Sequence, residues 1–353
     1  MMMTNPVTKP LKILYGIQAN GNGHIGKART IIPELRKAGA DVHCLFSGRS
    51  REALFDLDDF GDFEVREGFP IIIENGRVNI LKTTFNFKAR RFVKDIMNLD
   101  VSPYDLVITD FEPITAWAAK RAKKHSIGIG RQFAFHYDIP LAGNDIASHT
   151  FIKEFTPVNI GLGMHWHHFN QPILPPVTKQ MKSCPSDPNK ILVYMDFENL
   201  DELINLLKPF EDKNFFIYSS QVKTAENFEN IFVRPLSRDG FHQDLADCGS
   251  VICNAGFELP SDVIQLGKKL LVRPLNGLME QISSAKALKQ LNLGGVMETL
   301  DSGIVAEWLE RNDYMKATYP NVAEAFANWV MYSDRTDPAP LIKDLWARTK
   351  FFP

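Results

Sequence analysis

The stretch Val251-Ile252-Cys253-Asn254-Ala255-Gly256-Phe257-Glu258-Leu259-Pro260-Ser261-Asp262-Val263-Ile264-Gln265-Leu266-Gly267 constrains this chain most. Its apolar start predicts a buried strand, Ser250 to Cys253, ending in Asn-Ala-Gly. An amphipathic helix follows, with Pro260 in the first turn, where a missing N–H costs nothing. It stops at Gly267, the residue type that closes helices in the left-handed conformation. The free N–H groups and positive dipole end of that helix face the turn, a setting suited to a phosphate or diphosphate. Glu258 and Asp262, four apart, share the helix face near it. A second buried strand, Lys269 to Val272, is closed by Pro274, and the next loop carries Asn276, Gly277, Glu280 and Gln281. Taken alone, this is a βαβ unit of an α/β core.

The pattern recurs upstream. Strands are expected at Leu11–Ile17, Asp41–Phe46, Phe63–Ile73, Val78–Leu81, Leu106–Thr109 and Ser126–Ile129, with helices at Ile25–Ala38, Lys88–Leu99 and Ile114–Lys124. Five prolines between Asn170 and Lys190 argue for a linker. Beyond it come strands at Ile191–Met195, Asn214–Tyr218 and Ile231–Arg234 and helices at Leu200–Leu207 and Phe241–Ala246. The expected fold is α/β, two doubly wound Rossmann-like domains facing across a cleft, residues 1–175 and 176–329. The last segment, Asn321 to Phe352, reads as helical with Trp329 and Trp346 to bury, and from about 330 it is expected to pack back on the first domain.

A length of 353 residues suits two domains, and 44% hydrophobic residues can fill two cores. A net charge of −2 gives no global pull toward nucleic acid, and none is expected as a partner. Cys44, Cys184, Cys248 and Cys253 form no CxxC and read as reduced thiols of a cytosol. Met1 to Pro10 lacks a signal-peptide pattern, and no apolar run of about 18 residues exists to span a membrane. A cytoplasmic protein is expected.

The first glycine loop admits three readings. Gly21-Asn22-Gly23-His24-Ile25-Gly26 fits the dinucleotide fingerprint, and Gly21 through Lys27 fits most of a P-loop. The P-loop needs a hydroxyl where Ala28 stands, and the dinucleotide site needs an acid where the second strand ends Phe46-Ser47-Gly48-Arg49. The third reading sets Gly21, Asn22 and Gly23 at an interdomain cleft, close to substrate, with His24 opening the helix and free to reach a hydroxyl.

Nearly the whole chain resembles GT-B glycosyltransferases, close to the MurG-like enzymes and their little-characterised bacterial and archaeal relatives. Four pieces in the family's order carry the resemblance: Gly21-Asn22-Gly23-His24, Asp110-Phe111-Glu112-Pro113, Pro172-Ile173-Leu174-Pro175-Pro176, and Asn254-Ala255-Gly256-Phe257 followed by Glu280-Gln281. The resemblance implies that the second domain binds a nucleotide sugar, usually UDP-linked, at Asn254, Ala255, Gly256 and Phe257. Gly256 would face the diphosphate, Asp262 the ribose, and Glu280 with Gln281 the sugar hydroxyls. The first domain would take the acceptor, with His24 as candidate base. Asp262 stands where Glu is common, one methylene shorter, which opens the ribose role to Glu258 as well. Lys268-Lys269 replace a usual Lys-Pro, and Ser283-Ser284 precede Ala285 where Asn-Ala is common.

Such a transfer needs stabilisation of a departing diphosphate, which fixed N–H groups supply without a metal, and a base near neutrality, which histidine supplies. Asp110 and Glu112, after a strand end, are candidates to orient His24 or to act as base; a structural alternative for Asp110 is helix capping. Arg131, Gln132, His136 and Asp138 are acceptor candidates. His165 and His167 alternate on an extended segment, but no acid or cysteine completes a metal set, and no metal or cofactor is expected. Lys88, Arg90, Arg91 and Lys94, interleaved with Phe85, Phe87 and Phe92, form a basic flank able to rest on the inner face of the cell membrane, with a solvated helix face as the alternative. The expected activity is inverting, metal-independent transfer of a hexosyl or N-acetylhexosaminyl group to a glycan or lipid-linked acceptor of the cell envelope. The alternatives are a nonhydrolysing nucleotide-sugar 2-epimerase and a non-catalytic nucleotide-sugar-binding protein.

Overall fold

The computed structural model describes residues 9–54, 56–74, 76–142, 152, 154–181 and 185–353. Cys184 and Met1 to Thr8 lie outside the described residues. The first half contains β1 (Lys12–Gln18), β2 (Asp41–Ser47), β3 (Phe63–Arg66), a small hairpin of β4 (Ile73–Glu74) and β5 (Arg77–Val78), β6 (Leu106–Asp110), β7 (Ser126–Gly130) and β8 (Ile160–Gly163). Its sheet has the order β3-β2-β1-β6-β7-β8, parallel throughout. The second half contains β9 (Asp187–Tyr194), β10 (Asn214–Ser219), β11 (Glu226–Phe228), β12 (Ile231–Pro235), β13 (Cys248–Asn254), β14 (Lys269–Arg273) and β15 (Gly295–Val296). Its order is β11-β12-β10-β9-β13-β14-β15, with only the edge strand β11 antiparallel. Apart from that edge, both sheets are doubly wound in the same way, and each reverses its winding beside its first strand.

Ligands of open parallel sheets bind outside the strand C-termini at that reversal. In the first sheet the reversal lies between β1 and β6, where Ile17 pairs with Asp110. In the second it lies between β9 and β13, where Tyr194 pairs with Cys253. The Gly-x-Gly-His turn, Asp110 and the Asn-Ala-Gly turn are therefore the segments topology brings to the two crevices.

The helix Asn22–Lys37 joins the halves. Ile25, Ala28, Ile31, Ile32 and Leu35 fill one face, and the core they enter continues to Phe257 and Val263 of the second half. The helix Val322–Tyr332 packs on it from the chain end, with the Tyr332 hydroxyl donating to Ala38 O at 3.3 Å. Trp329 and Trp346 are half-buried rather than buried, and their indole N–H groups donate to Asp337 O at 3.3 Å and Ile173 O at 2.6 Å.

Several boundaries differ from the sequence reading. The first helix begins at Asn22, not Ile25, so His24 lies inside its first turn. The Phe63–Ile73 strand ends at Arg66. Val78–Leu81 is not one strand, since Asn79 caps a helix, Ile80–Asn86, by accepting from Lys82 N at 2.9 Å. The linker ends sooner, because Asp187 and Pro188 already belong to β9. The tail is not helical throughout: Lys350–Phe352 (β17) pairs with Lys316–Thr318 (β16). The helix Ser302–Glu310 had no sequence counterpart.

Candidate active site

His24 and Lys27 are three apart, so one face of the first helix presents both. Both reach the last residue of β6. His24 Nδ1 lies 2.6 Å and Lys27 Nζ 2.9 Å from the same oxygen of Asp110, which is fully buried. Lys27 also bonds Glu258 of the second half, Nζ to Oε1 at 3.2 Å. Burial opposes a protonated His24, but the Asp110 charge and hydrogen bond outweigh it, and the histidine pKa is raised. Burial likewise works to raise the Glu258 carboxyl, and Lys27 and His24 more than offset it, holding Glu258 below its usual range.

With Nδ1 committed to Asp110, neutral His24 presents Nε2 as its acceptor to the cleft. Gln132 Nε2 stands 3.5 Å from that nitrogen and donates to Glu280 Oε2 at 2.9 Å. A line of polar groups thus crosses from Asp110 through His24 and Gln132 to Glu280. Gly23 permits the close approach of the halves, since a Cβ there would lie 2.7 Å from Glu258 Oε2. Nothing lies within 4 Å of a Cβ built on Gly256, so space remains beside that helix start. Behind it, a pocket lined by Tyr194, Tyr218, Leu236, Phe241, Leu259 and Asp262 opens between the halves.

A family model described as glycosyl transferase family 1 matches residues 11–312. The chain belongs to that family. Solved structures with the same fold include the glycosyltransferase SnogD from Streptomyces nogalater, 14% identical, covering 96% of this chain and 99% of that one at a TM-score of 0.52. The spinosyn rhamnosyltransferase SpnG is 12% identical over 95% and 96% of the two chains, with a TM-score of 0.56. MurG of Acinetobacter baumannii is 14% identical over 96% and 93%, with a TM-score of 0.51. These likenesses show the GT-B fold. A comparison with curated proteins finds no match.

Not every residue singled out from the sequence faces the cleft of this family 1 glycosyltransferase. Glu112 is fully buried and caps the helix Pro113–Ala122, accepting from Ile114 N, Thr115 N, the Thr115 hydroxyl and the Ser47 hydroxyl. Its carboxylate has no room to serve as base, and the capping foreseen for Asp110 falls to Glu112 instead. Phe111 between them takes a φ of +54°, a left-handed turn that directs the two acids apart. The Asn254 amide nitrogen is committed elsewhere, donating to Glu198 and to Arg273 O. Gln281 is buried and its amide oxygen accepts from Leu275 N at 3.0 Å, while Glu280 accepts from Gln132. Ala255 N donates to Arg273 O. Asn22 donates to the Tyr194 hydroxyl at 3.1 Å and accepts from Arg49 at 2.8 Å. Gly21 caps the first helix in extended conformation. Asp262 turns into the pocket, where Oδ1 accepts from Lys179 N at 2.9 Å.

Arg131 and Gln132 are buried in the cleft wall, whereas His136 and Asp138 are exposed. The imidazoles of His165, His167 and His168 accept from the backbone N–H groups of Trp166, Phe169 and Asn170, and among the described residues no group of three metal-ligating side chains gathers. Lys88 and Arg91 pair with Glu67, while Arg90 and Lys94 are exposed. Among the described residues no helix is long and apolar enough to cross a membrane. Sequence reading missed Lys27, whose signal is its three-residue spacing from His24. It also missed the buried Glu198–Arg273 pair, which no local pattern announces.

Proposed function

We propose that this chain transfers a sugar from a nucleotide sugar, UDP-linked, to an acceptor hydroxyl, with inversion and without a metal, and that His24 is the base. The observation that carries this reading is the His24–Asp110 pair at 2.6 Å, set where the two topological reversals face each other. The acceptor oxygen attacks the anomeric carbon as its bond to the diphosphate breaks, and the electron pair leaves with the diphosphate. The acceptor proton passes to His24 Nε2, and Asp110 stabilises the imidazolium formed. The aromatic walls of the pocket suit a flat base, and Asp262 suits ribose hydroxyls. The transferred group is a hexosyl or N-acetylhexosaminyl unit, with Glu280 placed to hold its hydroxyls. Solved relatives include VinC in complex with dTDP and SpnG with spinosyn aglycone, so a test panel spans UDP- and dTDP-sugars and both glycan and aglycone acceptors. For a lipid-linked acceptor, the surface we propose for membrane contact is the one carrying the exposed Leu81, Phe85, Val93 and Met97 with Arg90 and Lys94.

Incubation with that panel tests the reading. Acceptor-dependent release of nucleoside diphosphate that survives EDTA supports it. An epimeric nucleotide sugar would make the protein an epimerase, and binding without turnover a nucleotide-sugar-binding protein.

A further inference from the structure

Arg131 follows directly on β7 and is fully buried, yet its Nε, Nη1 and Nη2 have no hydrogen-bond partner. Its guanidinium instead lies over three rings, 5.0 Å from Phe135, 6.0 Å from Trp166 and 5.5 Å from Phe257. A buried charge without a paired anion carries a desolvation cost of several kcal/mol, which cation–π contacts offset only in part. Burial accordingly pushes its pKa down to about 10, and Glu280 and Glu258 act on it only through space. Arginine is the side chain whose fork matches phosphate, so an unpaired one in a closed cleft marks a place for an anion.

Two observations say which anion. Phe257, under the guanidinium, is the cap of the helix Glu258–Gln265, whose N-terminal end faces the cleft beside the open space at Gly256. That end is served in this structure by the chain's own Glu258, whose carboxylate takes its own backbone N–H and Lys27. An internal carboxylate there shows that the position accepts negative charge.

We infer that Arg131, contributed by the first half, binds the diphosphate of the donor held by the second half. The inference rests on the donor-site reading above. In the unliganded protein the aromatic stack holds the cation in place. When the diphosphate enters at Gly256, the guanidinium gains its missing acceptors, and as the sugar bond breaks it meets the growing charge on the leaving group.

The test compares UDP, uridine and inorganic diphosphate by calorimetry on the full chain, for the parent, Arg131→Met and Arg131→Lys. The Met variant is expected to lose roughly 10- to 100-fold in UDP affinity and a similar factor for diphosphate, while uridine affinity stays within about twofold. The Lys variant, which keeps the charge but not the fork, should fall between, and it carries the comparison alone if the Met variant does not fold. The unliganded melt of a folded Met variant should match the parent or exceed it, since an unpaired buried cation is removed. Equal UDP affinity in parent and variants overturns the inference and leaves the donor site intact. Equal losses for uridine and UDP reduce Arg131 to a structural residue. A parent that binds no nucleoside diphosphate defeats the donor-site reading itself.

Discussion

Lys27 of the first half and Glu258 of the second meet across the cleft, Nζ to Oε1 at 3.2 Å, with Lys27 3% exposed. The pair ties the two halves together beside the pocket they share, and its acid stands where the diphosphate is proposed to bind. Glu258→Gln removes that charge and keeps the shape. Nucleoside diphosphate binding should then tighten by roughly 3- to 10-fold, about 1 kcal/mol, as calorimetry would show. Weaker binding would mean that Glu258 holds the ribose, the role left open by the sequence.

Asp262 is the other acid of that helix, and burial pushes its carboxyl up to about 6 despite Lys179. A carboxyl raised in the folded state penalises folding while it is ionised, so the penalty is full above the folded value and fades toward the unfolded one. Asp262→Asn should therefore stabilise the protein at about pH 8 by on the order of 1–3 kcal/mol, with the gain gone near pH 4. The same change should cost roughly 1–3 kcal/mol of donor affinity. Urea melts at the two pH values and a UDP titration check both, and a variant less stable at the alkaline end would sink the linkage.

How much of this was legible in the sequence depends on the range of the interactions. Strand, glycine and helix follow one another locally, so Lys12–Gln18 with its turn and Cys248–Asn254 with its turn can be read from pattern, and topology then places both at the cleft. Asp110 could be read as cleft-facing because strand ends point there. Glu112 could not be assigned, because what decides its role is Ser47, 65 residues away, and a left-handed Phe111 that no L-residue propensity foretells. The inward bond of Gln281 was hidden for a similar reason: its amide oxygen closes its own loop at Leu275, while Glu280 meets Gln132, 148 residues away.

The β4–β5 hairpin provides a second tie between the halves. Gly76 N donates to Phe197 O at 2.8 Å, and Gly76 O accepts from Asn276 N at 2.9 Å. Gly76 sits at φ +69°, and a Cβ there would collide with the paired Glu198 and Arg273 side chains. Gly76→Ala should cost on the order of 1–3 kcal/mol in a thermal or chemical melt. Gly26→Ala is the control: it lies inside the first helix with nothing within 4 Å of the new Cβ, and should stabilise by up to about 1 kcal/mol. Equal effects at the two sites would mean that the hairpin contact is not made in solution.

His24 gives the most direct test of mechanism. Replacing it with alanine should lower kcat by roughly 10²- to 10⁴-fold while donor affinity holds, because the donor contacts proposed above do not include His24. The base must be neutral to act, and its pKa is raised above the ordinary 6.5 because Asp110 outweighs burial. Activity should therefore fall as pH drops through that raised value, and His24→Ala should lose the limb. Asp110→Asn removes the charge that raises the pKa, so the limb should move to lower pH while kcat falls for want of a partner to the imidazolium. Stability provides an independent sign. The His24–Asp110 attraction is fully present below the ordinary histidine pKa and is lost as pH rises through the raised one, so Asp110→Asn should cost more stability in acid than in alkali. A His24→Ala enzyme that keeps the acidic limb would move the base elsewhere. One that melts early with near-parental kcat would leave His24 a packing residue.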